Sequence, residues 1–371
     1  MLHQFSGRAA ARAVLLVTVF ALLSFFTGCA ASGTGSTDPA PQSHPQQPPV
    51  AKPVLSSKTY DIQPRPDRPV YDDTDSAVGL MGISPSWNDL VARLKMDMPG
   101  APVEDYFEDL PAFSTMPMAV KIKELYTAAF VRKKPDDGKP KPPPSGIYKG
   151  VVTQANMAKC QDFLQLHKAA FDVLEQRYGV PREVVVSLLM VETKLGTYLG
   201  NVDAFWSLAS MAAANTPDKV RAGLTVDITP GKEAWLAAKL EEKSSWAYKE
   251  LKALINHCAI QTLNPKGMPG SVYGAVGICQ FMPSNLSHYA DDGNGDGIID
   301  LFTEADAIVS VGKYLTKHGW QDASSVEHQR KTLRRYNNST RYANTILALA
   351  YSLRSGALKQ APPDTGIALK K

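Results

Sequence analysis

Val184-Val185-Val186-Ser187-Leu188-Leu189-Met190-Val191-Glu192-Thr193 is apolar on nearly every side of a helix. A helix apolar all round is one buried at the centre of a fold. Pro181 just ahead suits a helix start and Gly196 just beyond suits a stop, so a central helix is predicted from Pro181 to Leu195. Glu192 is its only acid beyond the first turn. It sits in the last turn, where the negative end of the helix dipole disfavours a carboxylate, and its apolar neighbours disfavour the charge as well. Both effects raise its pKa, the condition a general acid needs near neutral pH. The alternative is a Glu that emerges into solvent as the helix ends, near Lys194.

Outward from this helix the chain reads as mainly α. Trp87, Leu90, Val91 and Leu94 recur at helical spacing, as do Ile122, Leu125 and Tyr126. One long amphipathic helix is predicted from Asn156 to Tyr178, with Phe163, Leu166, Ala170, Phe171 and Leu174 on one face. Further helices are expected over Ala234–Cys258, Thr303–His318 and Tyr342–Arg354. Lys133 to Ser145 is rich in Pro and Lys and reads as a solvated loop. No alternating strand pattern exceeds four residues in the body, which leaves room only for a minor strand pair.

The composition is that of a globular protein: 371 residues, 44% hydrophobic and 20% charged, with 40 Lys and Arg against 36 Asp and Glu. Arg8 and Arg12 lie in the first 28 residues with no acid, so the remainder carries +2. That is too little to indicate a nucleic-acid partner. The apolar run Ala13–Phe26 is shorter than the ~20 residues of a spanning helix and typical of a signal-peptide core. It ends in Phe26-Thr27-Gly28-Cys29, which resembles the lipobox of bacterial lipoproteins. The expected organisation is a signal peptide at 1–28 and a lipidated Cys29 opening a flexible Pro/Ser/Gly-rich tether to 66. An N-terminal helical part at 67–154, the main helical body at 155–360 and a tail at 361–371 follow. Ala30 after the Cys, where no Asp stands, implies anchoring at the periplasmic face of the outer membrane. Cys160, Cys258 and Cys279 allow at most one disulfide, lack a CxxC pattern for zinc, and read as small buried residues.

Two further segments carry chemical signals. Gly270-Ser271-Val272-Tyr273-Gly274-Ala275-Val276-Gly277-Ile278-Cys279-Gln280-Phe281-Met282-Pro283-Ser284-Asn285 places glycines where backbones can approach closely, and Gln280 sits among apolar residues where an amide needs partners. Asp292, Asn294 and Asp296 stand at positions one, three and five of a calcium loop, with Gly297 at six and the carbonyl of Ile298 at seven. Position twelve is Thr303, which cannot replace a bidentate Glu. The plainer reading is a polar turn capped by Asp residues.

Val191-Glu192-Thr193 followed by Gly274-Ala275-Val276-Gly277-Ile278-Cys279-Gln280-Phe281-Met282-Pro283-Ser284 resembles the paired signatures of lytic murein transglycosylases. More narrowly, the chain is similar to the membrane-bound lytic murein transglycosylase B family. The resemblance adds Tyr178-Gly179-Val180-Pro181, the Asp292–Gly297 loop, Asp306-Ala307-Ile308 with Tyr314, His318-Gly319-Trp320, and Tyr336-Asn337-Asn338-Ser339 with Tyr342. It spans residues 155–350 and is weak over 67–154, where it rests on the helical segment Lys121–Tyr126.

This resemblance implies a lysozyme-like helical catalytic domain. It also implies cleavage of the β-1,4 bond between N-acetylmuramic acid and N-acetylglucosamine in peptidoglycan, leaving a 1,6-anhydromuramic end. Glu192 would act as both acid and base, with no cofactor for the chemistry. By the same likeness Ser271 contacts the acetamido region, Gln280 binds sugar, and Tyr314, Tyr336 and Tyr342 match cleft tyrosines, of which two are expected at the substrate. Asp306 matches the acid that completes the family's calcium site, so structural calcium is expected on Asp292, Asn294, Asp296, Ile298 and Asp306. The expected partners are glycan strands and, through the anchor, a membrane.

The chain also departs from the family. Ile278 and Cys279 change bulk near the floor, and the family's paired arginines are absent, with Lys243 the nearest basic residue. An extra segment lies near Asn215–Leu240. Two other classes stay open. A lysozyme-type hydrolase would need a second carboxylate, for which Asp203 is the nearby candidate. A catalytically decayed peptidoglycan-binding lipoprotein is argued against by the intact Glu192, Ser271 and Gln280.

Overall fold

In the computed structural model, residues 82–131, 146–321 and 325–358 are described. The signal, Cys29, the tether, the Pro- and Lys-rich segment and the tail from 361 lie outside them. The first three helices are α1 (Asn88–Asp97), α2 (Val103–Phe107) and α3 (Met116–Phe130). There follow α4 (Gln154–Leu166), α5 (Lys168–Tyr178), α6 (Arg182–Thr193), α7 (Ala204–Ala213), α8 (Pro217–Val220) and α9 (Glu233–Gln261). The chain closes with α10 (Pro283–Tyr289), α11 (Glu304–Lys317), α12 (Val326–Tyr336) and α13 (Thr340–Ser355). The one sheet among the described residues pairs β1 (Val202–Asp203) antiparallel to β2 (Pro269–Gly270), with Val202 opposite Gly270. This is the minor strand pair the sequence left room for. No helix among the described residues is long and apolar enough to cross a membrane.

The quoted stretch is the central helix. In α6, Val184 to Met190 are all buried, and each buried Val or Leu contributes roughly 1.5–3 kcal/mol relative to an exposed one. The helix packs against α13, while α5 packs on α11 and α7 on α9. Pro181 stands at its N-cap in extended conformation. It ends two residues earlier than predicted: Lys194 (φ +52°) and Leu195 (φ +61°) are both left-handed, followed by Gly196 (φ +83°). The N–H groups of Lys194 and Leu195 turn back to the carbonyls of Met190 and Leu189, which satisfies the helix end and turns the chain sharply just after Glu192.

The long helix predicted over 156–178 is two helices. His167 (φ −107°, ψ +29°) leaves the helical region and separates α4 from α5. Phe163, Ala170, Phe171 and Leu174 are buried as expected, but Leu166, the last residue before the break, is 78% exposed. The apolar spacing runs on through the break, so periodicity alone did not register the change of axis.

Trp87, Leu94, Tyr106 and Phe107 of the N-terminal part join the same apolar cluster as α6 and α7, and α3 packs on α7 and α9. The extra segment at 215–240 forms α8, a 3₁₀ turn and the start of α9. It leans on α3: Trp235 meets Tyr126 and Phe130 edge-on at 5.6 and 5.1 Å. All three described cysteines are free and buried.

Candidate active site

Thr193 fixes where Glu192 points. Its hydroxyl donates to the carbonyl of Ile278 (2.7 Å) and accepts the N–H of Gly196 (3.0 Å). The end of α6 is thereby pinned to the Gly-rich segment. That segment folds back on itself: Val276 and Phe281 exchange both backbone bonds (2.9 and 3.0 Å) around Gly277 (φ +76°) and Gln280 (φ +53°). A Cβ on Gly277 would lie 2.5 Å from the Leu301 side chain and one on Gly274 2.4 Å from Leu208. Both positions also have positive φ, so the glycines are required by space and by conformation.

Above this floor opens a cleft of about 630 Å³, and Glu192, Ser271, Gln280, Tyr314 and Tyr336 all line it. Glu192 is half-buried. Burial pushes its carboxyl from 4.5 up to about 7, against the opposing pull of a hydrogen bond from Tyr342. That bond, from the Tyr342 hydroxyl to Glu192 Oε1, is 2.5 Å. The solvent-emerging alternative for Glu192 therefore does not hold.

Tyr342 is not a cleft residue. It is 1% exposed, and its hydroxyl is committed to Glu192, so it positions the acid from behind and does not touch a substrate in the cleft. The α13 helix brings it there: Ser339 caps the helix and accepts the N–H of Tyr342. Tyr314 and Tyr336 do line the cleft. Their hydroxyls donate to the carbonyls of Arg335 (2.9 Å) and Cys279 (2.5 Å), so what they offer a ligand is chiefly ring surface and an oxygen lone pair.

Ser271 Oγ accepts the N–H groups of Tyr273 (3.3 Å) and Ala275 (3.0 Å), leaving its own proton to donate into the cleft. Gln280 donates its amide N–H groups to the carbonyls of Leu199 (3.2 Å) and Gly277 (3.0 Å). Its Oε1 is thus held outward as an acceptor.

Asp203 does not supply a second cleft carboxylate. It caps α7, accepting the N–H of Trp206 (3.0 Å) and of Gly267 (2.7 Å). The second carboxylate that lines the cleft is Glu250 of α9, which sequence reasoning missed. Both of its oxygens are taken by Ser284, from N–H (2.8 Å) and hydroxyl (3.0 Å). Burial raises its pKa while these bonds lower it. Lys243, Trp246 and Glu250 stand at i, i+3 and i+7 on one face of α9 and line one wall. That spacing is legible in the sequence, but which face looks into the cleft is not. Lys121, Lys331, Arg334 and Arg335 also line it.

The acidic loop at 292–298 lies at the surface, away from the cleft lining. Asp292 accepts the N–H groups of Gly295 and Gly297, Asp296 that of Ile298, and Asn294 that of Asp296. Asp306 is 1% exposed and brackets the loop, one oxygen on the N–H of Gly293 and the other on that of Asp300. Burial raises its pKa against those two bonds, and Asp292 and Asp296 add to the rise. The donors are all hard oxygens suited to calcium, and each carboxylate oxygen keeps a lone pair beyond its N–H bond. Among the described residues no three His, Cys, Asp or Glu side chains are gathered closely enough to hold a metal ion, so a cation would have to draw these side chains together.

Membrane-bound lytic murein transglycosylase B of Escherichia coli (strain K12) is 30% identical over 192 residues, 50% of this chain and 46% of that protein. The chain thus spans about half the length of the curated relative it matches. The Escherichia coli lytic transglycosylase SLT35, solved in complex with calcium, superimposes with a TM-score of 0.55 at 20% identity, over 74% of this chain and 96% of that one. SltB3 from Pseudomonas aeruginosa, solved in complex with NAG-anhNAM-pentapeptide, gives 0.53 at 19% identity, over 75% and 81%. These likenesses show the fold, the lysozyme-like helical architecture the sequence led us to expect. Residues 126–331, more than half of the chain and starting earlier than the expected 155, match the Transglycosylase SLT domain family. The chain therefore belongs to the Transglycosylase SLT domain family.

Proposed function

We propose that this protein is a peptidoglycan lytic transglycosylase. It cleaves the β-1,4 bond between N-acetylmuramic acid and N-acetylglucosamine and closes a 1,6-anhydro ring on the muramic acid. The observation that carries this reading is one cleft carboxyl group, Glu192, which burial holds up at about 7 and which the Tyr342 hydroxyl steadies through one oxygen. The other cleft acid, Glu250, is spent on Ser284. Glycosidases that add water use two carboxylates. One suffices when the nucleophile is the sugar's own C6 hydroxyl.

In the proposed sequence Glu192 gives its proton to the glycosidic oxygen as the C1–O bond breaks. The cation at C1 is stabilised by the sugar's acetamido group, which Ser271 orients through its free proton. Glu192, now a carboxylate, takes the proton of the C6 hydroxyl as O6 bonds to C1. The first proton leaves on the departing sugar's hydroxyl, the C6 proton restores Glu192, and no water is consumed. A group with pKa near the working pH is suited to both halves, and the Tyr342 hydroxyl stabilises the carboxylate between them. Gln280 holds a sugar group from Oε1, and Tyr314 and Tyr336 pack against the ring. The SltB3 complex, whose ligand contains an anhydro-muramic unit, supports this product.

The same reading includes a lipid anchor at Cys29 that holds the protein at the periplasmic face of the outer membrane. The membrane-bound relative supports it. It also includes structural calcium on Asp292, Asn294, Asp296, the Ile298 carbonyl and Asp306. The ion would supply charge neutralisation there and no part of the chemistry. The deciding experiment is mass analysis of products from purified peptidoglycan. Ends one water lighter than the hydrolytic product support the proposal, and reducing ends reject it in favour of a hydrolase.

A further inference from the structure

The charge of the cleft is one-sided. Five permanent cations line it: Lys121, Lys243, Lys331, Arg334 and Arg335. Against these five stand only two carboxyl groups among the described residues: Glu250, held by Ser284, and Glu192, which burial leaves about half protonated at neutral pH. Two of the cations are locally paired, Lys121 with Glu124 (3.3 Å) and Lys243 with Glu242 (2.6 Å). The other three are different. Lys331, Arg334 and Arg335 recur at i, i+3 and i+4 along α12, so they share one face. All three are exposed, and none makes an ion pair among the described residues. The wall that carries them is fixed. The Tyr314 hydroxyl holds the carbonyl of Arg335, and the next residue, Tyr336, is tied to the carbonyl of Cys279.

Basic residues near a helix C-terminus are often explained by the helix dipole. Arg334 and Arg335 fit that account, but Lys331 lies a turn earlier and still faces the cleft. A protein whose charge is so nearly balanced overall concentrates unpaired cations where the ligand enters. A glycan backbone of N-acetylated sugars is neutral apart from the muramic substituent. The anionic groups of the polymer are the carboxylates of its stem peptides, which hang from the muramic acid.

We propose that α12 is a carboxylate-reading wall: Lys331, Arg334 and Arg335 select glycan strands whose stem peptides carry free carboxylates over strands whose stem peptides are amidated. This rests on the transglycosylase reading of the cleft and names the substrate class within it. Arg presents a planar fork suited to carboxylates, and Lys a mobile point charge.

The test uses the full-length protein carrying Glu192→Gln, so that binding is read without turnover. Soluble strands are offered in two forms: with acidic stem peptides and with the same peptides amidated. At low ionic strength the acidic form should bind roughly tenfold more tightly than the amidated form. The preference should shrink toward equality near 0.5 M salt, where screening is short-ranged. Adding Lys331→Gln, Arg334→Gln and Arg335→Gln together should bring the ratio of acidic to amidated binding close to one. Arg334→Lys with Arg335→Lys, which keeps the charge, should retain most of it. Equal binding of acidic and amidated strands at low salt, or a preference that survives the triple substitution, overturns the proposal while leaving the transglycosylase reading standing. Absence of binding to either form overturns both. Reducing ends from the wild-type protein overturn the transglycosylase reading and leave charge selection intact.

Discussion

Replacing Glu192 by Gln should abolish the chemistry and, as pH rises, make the protein progressively more stable than the wild type. Burial lifts the Glu192 carboxyl from 4.5 to about 7. Between those values the folded protein keeps a proton that the unfolded chain has released. The stability this provides is present in full below about 4.5 and is lost as pH climbs through 7, because the folded state binds more protons than the unfolded state in that window. At 1.36 kcal/mol for each pH step, the interval between 4.5 and about 7 amounts to about 3 kcal/mol. Gln keeps the shape, can still accept the Tyr342 hydroxyl, and has no proton to lose. The stability difference, variant minus wild type, should therefore grow by about 3 kcal/mol between acid pH and pH 8. Urea unfolding of both proteins at intervals from pH 4 to 8.5 measures it. In parallel, release of anhydro products should fall by the ~10²–10⁴-fold typical of general acid–base catalysis, or more, since one residue serves both steps. A stability difference that stays flat with pH would refute the claim that burial holds the proton on Glu192. Near wild-type product release by the variant would refute its catalytic role.

Three other outcomes are expected. Tyr342→Phe removes the one hydrogen bond that favours the Glu192 carboxylate, so the alkaline limb of the pH–rate profile should move upward from about 7; an unmoved limb would mean that Tyr342 does not hold the acid. Millimolar calcium added after chelation should raise the melting temperature, with about 2.7 kcal/mol available at a hundredfold excess over Kd, and Asp296→Ala should remove the rise; an unchanged melting temperature would reject the calcium loop. Cys29→Ala should release the protein from the membrane fraction with its activity intact in vitro, and continued partition of that variant into detergent would reject the anchor.

The cleft divides its labour between walls of different rigidity. Its floor is tied by the hydroxyls of Thr193 and Tyr336 and the side-chain amide of Gln280, all donating to carbonyls of the Gly-rich segment or the loop after α6. Such bonds hold the acid and the sugar-facing groups in one geometry, as acid–base chemistry requires. The basic α12 face is instead exposed and makes no ion pair among the described residues, which suits recognition of a mobile, charged substituent.

By itself the sequence determined that the fold is helical, that Val184–Thr193 is its buried centre, and that Glu192 is an acid out of place in an apolar helix. These features follow from local periodicity and from the cost of burying charge, and both are properties of neighbouring residues. It also marked the segment from Gly270 to Gly277 as a place of close backbone approach, and the structure finds positive φ and no room for a Cβ at Gly274 and Gly277. What only the tertiary structure decided depends on residues far apart in the chain. The sequence motif placed Tyr342 with the cleft tyrosines, yet α13 brings its hydroxyl behind Glu192, 150 residues away. Glu250, unnoticed in a long amphipathic helix, lines the cleft and is silenced by Ser284, 34 residues on. The break at His167 and the exposure of Leu166 escaped the pattern because apolar spacing continues through a change of helix axis. Periodicity reports which residues share a face; which face meets the ligand is settled by how the helices pack.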